Sequence, residues 1–271
     1  MLPACAGDGI HFTRRPGQPI PAHLSSVRSS IRCTTLQGAG GPIHTVEHLL
    51  AALHGLGIWD AEIQLQGDEI PALDGSAAPF VRALMVASRQ VDQGVSRGWR
   101  VARSFSRRAG LASCHLQPFD GCRLECGIWF PHPAIRRQRV VFQWDPEVFA
   151  SRIAPARTFG MVQDRQWLRS RALARGATLR NVVVFDENRT LTPGGLRFSD
   201  EPARHKLLDA LGDLALLGGP LKGRVKLERC GHQLLQDALR AAMQEGAIVP
   251  EAGRCGDCHS GAPAHIARCP G

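Results

Sequence analysis

The sequence predicts an α+β protein of two domains, and three observations carry that prediction. Helix-period and strand-period segments are mixed in both halves of the chain without a regular βαβ alternation, which favours helices layered on sheets. A polar, Gly-containing stretch between Asp92 and Gly98 divides the two halves. The 271 residues are 44% hydrophobic and 21% charged, enough apolar material for two cores. The expected boundaries are an N-terminal domain over 1–96, a C-terminal domain over 97–249 and a disordered tail over 250–271.

Taken in order, the first forty residues are polar and turn-rich, with room for one strand in SSVRSSIRCTTLQ before the turn at Gly38–Gly41. TVEHLLAALHGLG places apolar residues at 46, 49, 50 and 53, one face of a helix over 45–55, with Thr45 as N-cap and Gly55 or Gly57 as its stop. IWDAEIQLQ alternates as a strand, EIPALDGS punctuates a loop, and AAPFVRALMVASRQ returns to helical spacing. WRVARSF, HLQPFDGCRLECGIWF and RQRVVFQW read as strands separated by turns. Residues 160–180 carry helical spacing and NVVVFD is a short buried strand. EPARHKLLDALGDLALLG and GHQLLQDALRAAMQE are the two clearest helices. After Pro250 the chain is rich in Gly, Ala and Cys without periodicity, hence the disordered tail.

Composition narrows the function. No uncharged apolar run of eighteen residues occurs, which argues against a membrane span. A net charge of +9 favours anionic partners: nucleotides, nucleic acid or an acidic membrane surface. Tyr is absent and aromatics are 6%, few rings for base stacking, so no specific nucleic-acid partner is expected. Nine scattered cysteines and an N-terminus without an apolar signal region point to a reducing, cytoplasmic compartment.

Two helices carry residues with chemistry to offer. His205 and Asp209, four apart, leave one helix face a turn apart, a reach that suits two ligands of one Zn²⁺ or an ordinary surface pair. On the earlier helix His48 would complete a His₂Asp set with an open position for water, and adjacent Glu47 would take that water's proton. His232 begins another helix. Asp213, four residues after Asp209, would orient a protonated His232 as a general acid, the alternative being a local packing role for this histidine.

HTVEHLLAALHGLGI, DEIPALDGSAAPFV, ARTFG, GGLRFSDEPARHKLLDALGDLALLG and CGHQLL occur in an order that resembles the UDP-3-O-acyl-N-acetylglucosamine deacetylases, over about Gly9 to Pro250. The resemblance implies a zinc hydrolase of lipid A biosynthesis acting on UDP-3-O-acyl-N-acetylglucosamine in the cytoplasm, monomeric and with at most transient contact with a membrane surface. It implies two domains of similar topology whose helical layers face one another with zinc between them. By residue, it makes His48, His205 and Asp209 the metal ligands, Glu47 the general base, His232 the catalytic histidine and Asp213 its supporting carboxylate. Thr158 would help hold the oxyanion, and Lys206, Phe159 and Met161 would bind substrate. A β-α-β insert over about Gly160 to Leu196 would pass the acyl chain, with Met161, Trp167, Leu168, Leu173 and Val182 as lining candidates.

The chain departs from the family pattern in four places. Its start matches the family at GIHFTR, with no counterpart of the opening strands and their Gly-x-Gly-x-His stretch. Ala112 stands where a basic phosphate contact is expected, with Arg107 or Arg108 as substitutes. Cys230 precedes Gly231-His232 as a tolerated small side chain or a stray ligand. The tail's Cys255-Gly-Asp-Cys258-His259 matches the form of a haem attachment site, on a chain without the length of a haem domain.

Overall fold

The computed structural model describes residues 7–14, 17–90, 98–171, 176–251 and 264–266. The first half runs β1 (Ile10–Arg14), β2 (Ile20–Pro21), β3 (Val27–Ser29), β4 (Thr35–Gly38), β5 (Gly41–Ile43), α1 (Glu47–Gly55), β6 (Ala61–Leu65), α2 (Ala78–Ala87) and β7 (Ser88–Gln90). Two three-stranded sheets, ordered β2-β1-β6 and β3-β4-β5, support its helices.

The second half contains β8 (Gly98–Val101), β9 (Phe105–Ala109), β10 (Ala112–Gln117), β11 (Cys122–Phe130) and β12 (Arg136–Gln143). A short α3 (Pro146–Val148) runs into a wider helical turn over Phe149–Ile153. Then come β13 (Phe159–Met161), α4 (Arg165–Ser170), β14 (Val183–Phe185), α5 (Glu201–Ala215), β15 (Leu221–Glu228), α6 (His232–Gln244) and β16 (Ile248–Glu251). Its main sheet is ordered β12-β11-β15-β10-β9, with β8 beside β15 and β16 beside β8. Pairing is antiparallel except between β15 and its neighbours β11 and β8.

The α+β class is borne out, and helices from the two halves meet as α1 packs along α5. Leu207, Leu208, Leu211 and Leu214 of α5 are wholly buried, each contributing about 1.5–3 kcal/mol by leaving water. The helices come close because α5 carries glycine at the crossing: a Cβ on Gly212 would lie 2.2 Å from the Glu47 carbonyl oxygen. That approach brings the N-terminal end of α1 against the middle of α5.

Several local expectations need correction. Thr45 is not the N-cap of α1: its φ is +60°, its hydroxyl donates to Glu69 Oε1 at 2.8 Å, and the helix starts after Val46. The first forty residues hold four strands, β1 to β4, where one was expected in SSVRSSIRCTTLQ, which forms β3 and most of β4. Among the described residues of 160–180, the helical spacing yields α4 and a preceding 3₁₀ turn, whose residues are largely exposed, so no core fixes a longer helix. Strand β15 is unpredicted, although buried Leu221, Gly223, Val225 and Leu227 alternate there with Lys222, Arg224 and Lys226. Within the tail expected to be disordered, β17 (Ala264–Ile266) pairs antiparallel with β7. The expected domain boundary at 96–97, Leu173 and the Cys255–His259 motif lie outside the described residues.

Candidate active site

The site is built where α1 meets α5. His48 on α1 and His205 and Asp209 on α5 are all buried, and their ligand atoms lie within 4.8 Å of one another. Asp209 Oδ1 is 3.3 Å from His205 Nε2 and 3.7 Å from His48 Nε2. The two imidazole rings stand edge to face, their centroids 5.0 Å apart.

The donor set fits a divalent cation on its chemistry. His205 Nδ1 lies 3.0 Å from the Ala156 carbonyl oxygen. A carbonyl only accepts, so Nδ1 carries the proton and the Nε2 lone pair is turned to the triad. Burial lowers the His205 pKa to about 4 against the opposing pull of Asp209, so the ring is a neutral ligand at pH 7. Burial would raise the Asp209 pKa, but His205 and the Lys206 ammonium, 2.8 Å from Oδ2, hold it well below the usual carboxylate range. The triad therefore offers two imidazole nitrogens and one anionic oxygen, a set suited to zinc or to iron.

Two buried titratable groups flank the triad. Glu47 is 3% exposed, and desolvation raises its pKa against the pull of His232 and His48, which makes its carboxylate a stronger base than one in water. His232, at the start of α6, donates from Nδ1 to Asp213 Oδ2 at 2.7 Å and turns Nε2 toward Asp209, 3.8 Å from Oδ2. Burial works to lower the His232 pKa, yet Asp213 outweighs it and lifts the group to about 9, so the ring is charged at neutral pH. A raised carboxylate beside a raised histidine is the division expected of a base and an acid working together.

A second layer of contacts fixes these groups. The segment that presents the Ala156 carbonyl is tied to the start of α5 by a buried ion pair. Arg157 donates from its backbone N–H and Nε to Glu201 Oε1 at 3.0 and 2.9 Å, and from Nη2 to Oε2 at 3.1 Å. The Thr158 backbone N–H donates to the Gly75 carbonyl at 2.8 Å. Gly75 is obligatory there: its φ is +81° and a Cβ would fall 1.8 Å from the Asn181 carbonyl oxygen. Thus the ALDGS loop of the first half clamps the ARTFG segment of the second.

The other expected site residues divide. Lys206 joins the triad through Asp209 and holds its Nζ 5.9 Å from the Phe159 ring centroid. Phe159 stands edge-on to His205 at 6.5 Å and to Phe130 at 5.5 Å. Met161, at the other end of β13, packs on the core. Cys230 lines the narrow cavity bounded by Lys206, Asp209, Asp213 and His232 but is not a member of the ligand triad. Burial raises its thiol pKa, so it faces that cavity as a neutral thiol. Sequence reasoning missed Arg157, Glu201, Thr34 and Gln236; the last two contact Asp213 from distant parts of the chain.

A helix-on-sheet frame enclosing a His₂Asp triad, a buried carboxylate and a His–Asp pair defines the class, a metal-dependent hydrolase. The model of the LpxC family, UDP-3-O-acyl N-acetylglycosamine deacetylase, matches residues 1–244. UDP-3-O-acyl-N-acetylglucosamine deacetylases of Brucella ovis, Brucella canis and Brucella suis are 38% identical over 249 residues, 90% of this chain and 87% of each relative. The chain belongs to the UDP-3-O-acyl N-acetylglycosamine deacetylase family.

Proposed function

We propose that this chain is a zinc-dependent UDP-3-O-acyl-N-acetylglucosamine deacetylase of lipid A biosynthesis, releasing acetate from the sugar nitrogen. The observation that carries the reading is the convergence of His48, His205 and Asp209 with Glu47 and the His232–Asp213 pair, in a chain 38% identical to deacetylases of that name. A divalent ion held by the triad would supply Lewis acidity, polarising the acetyl carbonyl and acidifying water beside it. Glu47 takes the proton from the attacking water. His232, held charged by Asp213, offsets the negative charge that develops on the acetyl oxygen and gives its Nε2 proton to the departing amine. The Thr158 hydroxyl assists at the oxyanion, while Lys206, Phe159 and Met161 hold the nucleotide-sugar.

The expected β-α-β unit for the acyl chain draws support from β13 and β14, which pair in parallel on either side of α4. The two-domain division draws support from the separate sheets of the two halves. No helix of the described residues is long and apolar enough to cross a membrane. A monomer acting in the cytoplasm and touching an acidic membrane transiently fits the outer face of the large sheet. There Arg123, Arg139 and Arg224 all close on the single carboxylate of Glu125 and leave excess positive charge outward.

The test is acetate release from UDP-3-O-acyl-N-acetylglucosamine by chain loaded with one equivalent of Zn²⁺, with non-acylated UDP-N-acetylglucosamine as control. The reading predicts release from the acylated substrate and far less from the control. Equal rates on both would remove the acyl specificity, and no release from folded, metal-loaded protein would remove the activity.

A further inference from the structure

Thr34 lies just before β4, outside both catalytic helices, 13 residues before Glu47 and 179 before Asp213, and is wholly buried. Its backbone N–H donates to Glu47 Oε2 at 3.0 Å. Its hydroxyl donates to Asp213 Oδ1 at 2.9 Å and lies 3.4 Å from His232 Nδ1. One residue therefore contacts both the base and the acid pair, which stand on different helices.

We infer that Thr34 is a positioning residue that sets Glu47 and the Asp213–His232 pair in register with one another. Resting on the proton-transfer roles proposed above, the inference goes beyond them in naming what couples the two groups. Asp213 spends Oδ2 on the His232 Nδ1–H, so the carboxylate plane is set by what holds Oδ1. Two donors do so: the Thr34 hydroxyl and Gln236 Nε2, the latter at 2.7 Å. Gln236 Nε2 also donates to the Thr34 hydroxyl oxygen at 3.1 Å, and Gln236 Oε1 accepts from the Ser30 hydroxyl. Polarised by this donor, the Thr34 O–H is a better donor to Asp213, and the Ser30–Gln236–Thr34–Asp213–His232 chain is satisfied at each link. Such a network fixes the direction of the ring and keeps its Nδ1–H on Asp213, leaving the Nε2–H to face the reacting atoms.

The hydroxyl is separable from the backbone contact. Thr34→Val keeps the shape and the N–H to Glu47 but removes the bond to Asp213, whereas Thr34→Ser keeps both. The expected result for Thr34→Val is a kcat lower by about 10- to 100-fold, with KM and bound metal unchanged; Thr34→Ser restores kcat to near the wild-type value. Gln236→Leu, which strips the second donor, lowers kcat in the same direction. The Nδ1 proton resonance of His232 by NMR shifts in Thr34→Val and stays in place in Thr34→Ser. A Thr34→Val enzyme with wild-type kcat and an unmoved resonance overturns the inference, as does an equal loss in Val and Ser variants accompanied by loss of metal. If wild-type protein releases no acetate, the deacetylase reading fails by itself, and the resonance still decides whether Thr34 holds the His232–Asp213 pair.

Discussion

The α1–α5 seam and the β13–α4–β14 unit beside it are built on opposite principles. In the seam His48, His205, Asp209, Asp213 and His232 are all buried, and ring nitrogens and carboxylates are held by groups from other elements. In α4, Trp167 is 39% exposed, with the Arg171 and Arg32 guanidinium carbons 4.3 Å and 5.4 Å from its ring centroid. The difference teaches where this protein needs precision: the groups proposed to move protons are locked by buried polar contacts, while α4 of the proposed acyl-chain region buries no residue and sits on the outside of the core-packed β13–β14 pair. Substitutions in the seam are therefore expected to damage stability and turnover together, and those on α4 to shift substrate affinity alone.

The largest effect on stability is expected from Glu201→Gln, which leaves the buried Arg157 guanidinium without its counter-charge. Unfolding in urea should show a loss of about 3–5 kcal/mol, and bound metal should fall because the Ala156 carbonyl that orients His205 is no longer fixed. Next comes Gly212→Ala. Its Cβ would be forced onto the Glu47 backbone, and urea unfolding should register about 2–3 kcal/mol of destabilisation, with a drop in kcat exceeding any change in KM.

The third prediction concerns pH. His54 on α1 donates from Nδ1 to the Leu211 carbonyl at 2.9 Å, a link across the same seam. Burial lowers its pKa from 6.5 to about 4, against that hydrogen bond. Its folded pKa lies below the unfolded value, so its contribution is complete above pH 6.5 and is lost as pH falls toward 4. Between pH 7 and pH 5 it should cost about 2 kcal/mol. Gln at position 54 preserves a donor without the titration, so that share of the acid sensitivity should vanish in urea titrations of His54→Gln. The smallest effect belongs to Trp167→Ala: stability should change by less than about 1 kcal/mol, and KM for the acylated substrate should rise with kcat nearly constant. A kcat loss in this variant comparable with the seam variants would dissolve the contrast between the two regions.

The seam was the legible part of the sequence. Helices α1, α5 and α6 follow from 3.6-residue apolar spacing, and the ordered motifs put Glu47, His48, His205, Asp209 and His232 together before any geometry was known. Less legible was β15, a strand inside the main sheet, because Lys222, Arg224 and Lys226 interrupt its four buried positions and it is hemmed between two strong helices. The over-long helix at 160–180 shows the opposite failure, where spacing exists without a partner surface to bury it. Thr34, Gln236, Arg157 and Glu201 gave no local signal at all. Their roles arise from contacts across 13 and 179 residues for Thr34, 23 for Gln236 and 44 for Arg157 and Glu201, and nothing in the immediate sequence of a Thr or a Gln marks it as holding a carboxylate on another element.

The central claim is that one seam both holds a metal ion and moves the protons, with different residues for each task. It is tested most directly by measuring bound Zn²⁺ per chain and acetate release on the same preparations of wild type, Glu47→Ala and His205→Ala. The account predicts one ion and turnover in wild type, one ion with kcat reduced by about 100-fold or more in Glu47→Ala, and loss of both in His205→Ala. Wild-type turnover in Glu47→Ala, or full metal occupancy in His205→Ala, would contradict it.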